Sequence, residues 1–580
     1  MKTSKFRHIF ALAALCGTLP ALHAQNLEES LTVEGKYTPE VISADRRSVS
    51  PSVMALPAPE SDLGFDLNGV AANFAPDVLS MPATGWRTTN LPDRSRGYID
   101  LRLGSWLNSS LSAGFAAIHE DDTDLNIRLQ HNSTSLWQAW KAGNKGGFDA
   151  DKRFRYDETI GADFRHRFSG AGTLKADLQY HLGYFNYYGT SYGYKTADGK
   201  IKAPTQTLND IYARAAWKGE TSTPFSYSLD ADMRYFAYRS MYAPKLSATT
   251  ETGHEFYRFG VPAETTVNIG GKAGYSFSQS SSAGIGIRYS GLVHSSSNTP
   301  TPDVDLLRFT PAYVYSKGNI NFRAGAELAI VSAGETRFRA APDIRFSARS
   351  GIAAFSARIG GGTQLRSLAW IREMDYYASP DGSGLGYAYS PLDASLAFQL
   401  NPGGKWTFGV EGLWRTTLDE VTGGVYQYFL NNPPQLDFND KYFGYTGTPH
   451  THRLHGFSVG VNAGYEFSRH FGLNGRFNWQ PQHGNNGILN GFDRPAITAR
   501  LSATSAPTDA LSLRLDYDLR AKRHLLKGNI SRLNLSAAYR ISSRLTVSAD
   551  INNILNRHEM LLPDLASEGI TLLGGVQVKF

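Results

Sequence analysis

From Gly97 to its final residue, this chain alternates apolar and polar side chains in run after run of about ten residues. Strand side chains point alternately to opposite faces, so each run offers one greasy face and one wet face. Leu511, Leu513, Leu515, Tyr517 and Leu519 oppose Ser512, Arg514, Asp516, Asp518 and Arg520. Phe225, Tyr227, Leu229, Ala231 and Met233 oppose Ser226, Ser228, Asp230, Asp232 and Arg234. A soluble two-sheet protein also alternates, but it needs neither so many strands nor long links on one side only. Past the N-terminus no apolar stretch approaches the roughly 20 residues of a spanning helix. A barrel hides its membrane signal in alternation, which reconciles a mean hydropathy of -0.32 with 12% aromatics and 57 glycines. The expected fold class is all-β, a transmembrane antiparallel β-barrel.

The alternating spans are 97–105, 108–119, 122–137, 153–168, 172–186, 206–219, 225–238, 264–278, 282–294, 307–317 and 319–331. They continue as 336–349, 352–366, 390–400, 405–418, 455–468, 470–480, 495–505, 511–521, 532–541, 544–554 and 569–580, which makes about 22 strands. After strands 3, 5, 7, 9, 13, 15, 17 and 21 the links are long, 419–454 most of all; after even-numbered strands they are short. Strands 1 and 11 are short-linked exceptions. Outer-membrane barrels have short periplasmic turns and longer extracellular loops, so both barrel ends are expected in the periplasm. Arg or Lys on the lipid face at mid-membrane costs roughly 2–4 kcal/mol, so the charged face is expected to line the lumen. Arg153, Arg155, Arg165, Arg167, Arg214 and Arg323 then face inward with Asp157, Asp163, Asp230, Asp232 and Glu327. These mixed signs suit bracing of a wide wall, or holding of a bound segment, better than ion selectivity.

Residues 1–24 read as a secretory signal peptide: Lys2, Lys5 and Arg7, then the apolar Ile9 to Leu15, then Pro20, Ala21 and Ala24. Cleavage after Ala24 removes Cys16, the only cysteine, and leaves no disulfide or thiolate metal site. Leu15 before Cys16 argues against lipidation. Residues 25–95 are broken by Pro39, Pro51, Pro57, Pro59, Pro76, Pro82 and Pro92. They are expected to form a non-globular segment, periplasmic or occluding the lumen, ahead of a barrel at 96–580. Phe65, Phe74 and Trp86 are its candidate occluding side chains, because they have few other places to be buried.

The end of the chain resembles a known family. Ala549-Asp550-Ile551-Asn552-Asn553-Ile554-Leu555-Asn556-Arg557 resembles the penultimate strand of TonB-dependent receptor barrels, and Gly574 to Phe580 resembles their final strand. Val576, Val578 and Phe580 resemble the C-terminal signal by which the barrel-assembly machinery recognises its clients. Glu29 to Gly35 resembles the opening of such receptors, where TonB is contacted, although a short periplasmic strand or linker also fits. Residues 36–95 are too few and too proline-rich for the family's plug domain. The start of this segment, Tyr37 to Val41, is similar to plugless receptor-like barrels of the Bacteroidota. The resemblance implies a Gram-negative outer membrane, with its lipids as surroundings, and binding or translocation of a solute or polymer. The alternative is an occluded assembly subunit that scaffolds surface lipoproteins.

Other clusters read more plainly. Tyr188, Tyr192, Tyr194, Tyr426, Tyr428, Tyr442 and Tyr445 are candidate ligand-contacting loop aromatics, while tyrosines nearest strand ends, such as Tyr184, suit the interfacial girdle. His450, His452 and His455 read as solvated loop histidines rather than metal ligands. Glu120, Asp121, Asp122 and Asp124 lack the glycine and distal glutamate of a calcium loop. No Ser or Asp stands convincingly beside a His as nucleophile and base, so neither an enzyme nor a cofactor is expected. The charge of +6 forms no basic stripe, so no nucleic-acid partner is expected.

Overall fold

The computed structural model describes residues 95–137, 152–186, 194–195, 201–202, 205–219, 224–239, 241–245, 255–259, 262–295, 303–374, 376, 386–427, 443–468, 470–481, 495–523, 528–562 and 565–580. Twenty-two strands form one sheet. They are β1 (Gly97–Gly104), β2 (Ser109–His119), β3 (Thr123–Trp137), β4 (Lys152–Phe168), β5 (Gly172–Asn186), β6 (Thr205–Gly219), β7 (Phe225–Tyr238), β8 (Ala263–Ser276), β9 (Ser281–His294), β10 (Val304–Lys317) and β11 (Ile320–Ala333). The rest are β12 (Glu335–Ser350), β13 (Ala353–Arg366), β14 (Gly386–Leu400), β15 (Trp406–Gln427), β16 (Phe443–Ser468), β17 (Phe471–Trp479), β18 (Ile497–Ser505), β19 (Leu511–Ala521), β20 (Ile530–Arg540), β21 (Leu545–Asn552) and β22 (Thr571–Lys579).

Each strand pairs antiparallel with its neighbours in the chain, and β1 closes onto β22 with Tyr98 opposite Lys579 and Gly104 opposite Leu573. Gly97 and Phe580 exchange both backbone hydrogen bonds, at 2.9 and 3.0 Å. Closure leaves the 22-stranded sheet itself without an unpaired edge, which is what lets it sit in hydrocarbon.

The outer surface is apolar. Leu178, Leu229, Ile269, Leu396 and Leu501 are each more than half exposed there. A continuous greasy belt of this kind would drive aggregation in water; around a closed barrel it meets lipid. Two aromatic belts bound it. Near the short turns Phe168 lies 5.4 Å from Trp217, Tyr275 5.5 Å from Phe277, and Tyr465 4.6 Å from Phe467, centroid to centroid. Toward the opposite rim Tyr156 lies 6.2 Å from Tyr184, and Phe457 5.4 Å from Trp479. Amphipathic rings favour the two membrane–water boundaries. Val576, Val578 and Phe580 also face outward, and the Phe580 ring stacks on Phe115 at 6.4 Å.

The charged face lines the lumen, and opposite signs pair there. Arg128 pairs with Asp163, Arg165 with Asp124 at 2.5 Å, Arg102 with Asp550 at 3.1 Å, and Arg514 with Asp516 at 2.6 Å. Asp124 also meets His119 at 3.1 Å, so the carboxylate of this turn is engaged by its own wall.

Strand boundaries agree with the sequence reading to within a few residues, with three exceptions. β14 begins at Gly386, β15 runs on to Gln427, and β16 starts at Phe443. Much of the stretch expected to be a 419–454 loop is therefore a ladder, with Glu420 opposite His452, Thr422 opposite His450 and Tyr426 opposite Gly444. Beyond lipid a strand needs no greasy face, so alternation lapses while backbone pairing continues.

Candidate functional site

The barrel wall is interrupted at one level of β13 and β14. Register slips between Gly360 and Gly362 on β13, and between Tyr389 and Leu392 facing β15. A bulge bends its strand and redirects the residues beyond it. Here the triplet Gly360-Gly361-Gly362 permits it. A Cβ on Gly361 would lie 2.3 Å from the Ser390 carbonyl oxygen, and Gly362 has φ +128°, a region that favours glycine. Past the bulge the two strands lean into the lumen, so that β13 touches β11 and β14 touches β12, each skipping a neighbour. The Glu327 carboxylate accepts hydrogen bonds from the Thr363 amide at 2.7 Å and its hydroxyl at 2.8 Å. The Tyr389 hydroxyl donates to the Ala340 carbonyl at 2.5 Å. Beneath them Leu292, Val304, Leu306, Ala329 and Val331 are buried on the lumenal wall, with Leu365 and Tyr387 packed on top. Full burial of such side chains contributes about 1.5–3 kcal/mol each, enough to hold the inward layer.

The inward strand ends in a two-turn helix, α1 (Leu368–Met374). A helix this short is marginal alone, so the wall must hold it. The Glu264 carboxylate at the head of β8 accepts from the Leu368 and Ala369 amides at 2.6 and 2.9 Å, and Ser367 Oγ accepts from the Trp370 amide at 3.0 Å. Three of the helix's four orphan N-terminal N–H groups are thereby satisfied.

At the other end, Asp157 on β4 gathers four donors. Arg155 pairs with it along the strand, His181 Nε2 lies at 3.0 Å, the Tyr376 hydroxyl donates at 2.9 Å and Arg372 approaches at 3.4 Å. Burial, then the Asp157 charge, push the Tyr376 phenol above its usual range, so it remains a donor. Arg155 lies 3.7 Å over the Tyr376 ring, which packs edge-on against Phe185 at 4.7 Å. Arg234 on β7 bridges Asp210 at 2.7 Å and Glu373 at 3.1 Å. Leu368, Ala369, Ile371 and Tyr376 are buried. The helix is thus clamped against the lumenal wall, from the end of β13 to the inner faces of β4 to β8. A cavity of about 290 Å³ beside it balances Arg155, Arg234 and Arg372 against Asp157, Asp210 and Glu373.

In sequence this clamp reads only as a simple 367–389 link. One faint signal is there: Ser367, an N-cap residue, stands before an apolar run. Asp157 and Arg155 lie on the lumenal face, as expected, but their role as anchors of a distant helix has no sequence signature.

The tyrosine candidates are not brought together by the described residues. Tyr188, Tyr192, Tyr428 and Tyr442 lie outside them, and Tyr194, Tyr426 and Tyr445 are placed by their backbone alone. Phe65, Phe74 and Trp86 also lie outside them. His450 and His452 sit on β16 rather than in a loop, and His455 Nδ1 is 3.1 Å from Thr416 Oγ1.

No family model and no curated protein sequence matches this chain. Solved structures do. A double mutant of the ferric enterobactin receptor PfeA from Pseudomonas aeruginosa is 12% identical, with a TM-score of 0.61 over 83% of this chain and 80% of that one. The siderophore receptor PirA from Acinetobacter baumannii is 11% identical, TM-score 0.60, over 85% and 81%. The F3-3 variant of the FrpB iron transporter from Neisseria meningitidis is 10% identical, TM-score 0.58, over 83% and 81%. At this identity the likeness is one of architecture, and it covers most of the chain. With 22 strands, an apolar exterior and a charged lumen, the chain shares the barrel fold of these two receptors and this transporter.

Proposed function

We propose that the barrel carries a polar solute across the outer membrane through a pathway narrowed by α1. The observation behind this reading is the clamp itself. A barrel of purely structural role has no need of an inward helix held by a buried ionic network, whereas a wide pore must restrict passage. The names of the structural neighbours, two receptors for siderophores and an iron transporter, point the same way. Residues 25–95 are a second proposed restriction, and Val576, Val578 and Phe580 the proposed insertion signal. No covalent chemistry enters this reading.

Single-channel recording of the full chain, of Asp157→Ala and of a 26–95 deletion tests it. Small, solute-blockable currents are expected from the full chain, with larger ones from at least one variant. Silence from all three, with surface lipoproteins co-purifying, would replace translocation with scaffolding.

A further inference from the structure

The inward bulge has a second consequence lower in the lumen. Under it, the wall from β7 to β13 encloses a recess of about 280 Å³, with Gly361 at its roof. Gly270 and Gly286 leave its floor bare. A Cβ on Gly270 would lie 2.9 Å from Arg288 Nη2, so this glycine lets Arg288 lie flat and reach Asp230, two strands away, at 2.5 Å.

Six cations line the recess: Lys272, Arg288, Arg308, Arg323, Arg345 and Arg358. Among the described residues, only Asp230, Glu327 and Asp343 oppose them. Two of these carboxylates are already paired with arginines, and the third is hydrogen-bonded to the roof and keeps its charge. Asp230 holds Arg288, Asp343 is shared by Arg323 at 2.7 Å and Arg345 at 3.0 Å, and Glu327 accepts from Thr363 in the roof. Arg308 is held by neutral acceptors, Ser290 Oγ at 2.8 Å and the Thr363 carbonyl at 3.4 Å, which fix its position without cancelling its charge. Lys272 is exposed to the lumen. Neither Lys272 nor Arg308 has a carboxylate in ion-pair contact among the described residues. The contrast with the clamp is direct: there three arginines meet three carboxylates, and here six cations meet three.

We propose that this recess binds a compact anion carrying phosphate or carboxylate groups. Guanidinium forks match both groups in geometry. The volume lies at the lower end of small-molecule sites, which favours a compact solute over a polymer. The proposal names the class of solute for the translocation reading, but binding does not depend on flux.

Calorimetric titration of the detergent-solubilised full chain with pyrophosphate, and in parallel with tricarballylate, tests this. Saturable binding that weakens with salt is expected for at least one of the two, and the stronger binder identifies the recognised group. Lys272→Gln, which disturbs no packing, weakens it several-fold, and the Lys272→Gln, Arg308→Gln double variant at least tenfold. Arg514→Gln, on the lumenal face of β19, leaves it unchanged. No binding of either anion, or equal binding by the double variant, overturns the site. Binding without any conductance would leave the site standing and overturn translocation.

Discussion

Asp157→Ala is expected to release α1 from the lumenal wall while leaving the barrel intact. The substitution strands Arg155, His181, Arg372 and Tyr376, all of which converge on this carboxylate. Removing one partner of a buried ion pair costs about 3–5 kcal/mol, because the remaining charges stay desolvated. The barrel ladders do not depend on that network, so the loss falls on the helix. At about 1.4 kcal/mol per tenfold, the clamped state loses roughly two to three orders of magnitude in relative population. Hydrogen exchange reads this at the Leu368 and Ala369 amides, which Glu264 protects from the opposite end of the helix. Their protection should fall about 10²-fold or more, while β19 amides keep theirs. Asp516→Ala, which breaks the Arg514 pair on that strand, should leave both helix amides untouched. Unchanged exchange in Asp157→Ala would mean that apolar contacts alone hold the helix.

Gly361→Val is expected to be the second large lesion, and its cause is steric. A side chain at this position meets the Ser390 carbonyl oxygen at 2.3 Å and Ala341 Cβ at 2.9 Å, and neither is the far end of a flexible side chain. Overpacking typically costs about 1–3 kcal/mol. Here the bulge must also straighten, which withdraws Thr363 from Glu327 and uncovers the apolar cluster below, so about 3 kcal/mol or more is expected. Gly318→Ala is the comparison. Gly318 has φ +58° in the turn between β10 and β11, with nothing within 4 Å, so only the left-handed backbone penalty of about 1–2 kcal/mol applies. Urea unfolding in liposomes should show a much larger midpoint shift for Gly361→Val. Equal shifts would deny the bulge any part in holding the inward layer.

The barrel was legible because lipid enforces a rule at every second residue. β5, β7 and β19 begin and end where alternation does, since one misplaced charge at mid-membrane is costly. Legibility failed where that rule stops. The upper parts of β15 and β16, through Glu420, Thr422 and Gly424, are held by backbone pairing and carry no periodicity. The clamp was invisible for a different reason. Seven residues of helix are too few for a 3.6-residue pattern, and its anchors, Asp157 and Glu264, lie more than a hundred residues earlier in the chain. The glycine triplet was written plainly in the sequence, but its meaning depends on Ser390 and Ala341, which only folding brings against it.

Alternate residues of each strand see oil and water, and the rest of the molecule's behaviour depends on that division. Spin labels on single cysteines along β19 test it most directly, and the sequence's one native cysteine, Cys16, lies far from that strand in the chain. In liposomes, labels at Leu513→Cys, Leu515→Cys and Tyr517→Cys should be relaxed by oxygen dissolved in the bilayer. Labels at Ser512→Cys, Arg514→Cys and Asp516→Cys should instead respond to a water-soluble nickel chelate or be shielded from both. Odd positions shut away from oxygen, or no alternation along the strand, would contradict a lipid-facing barrel.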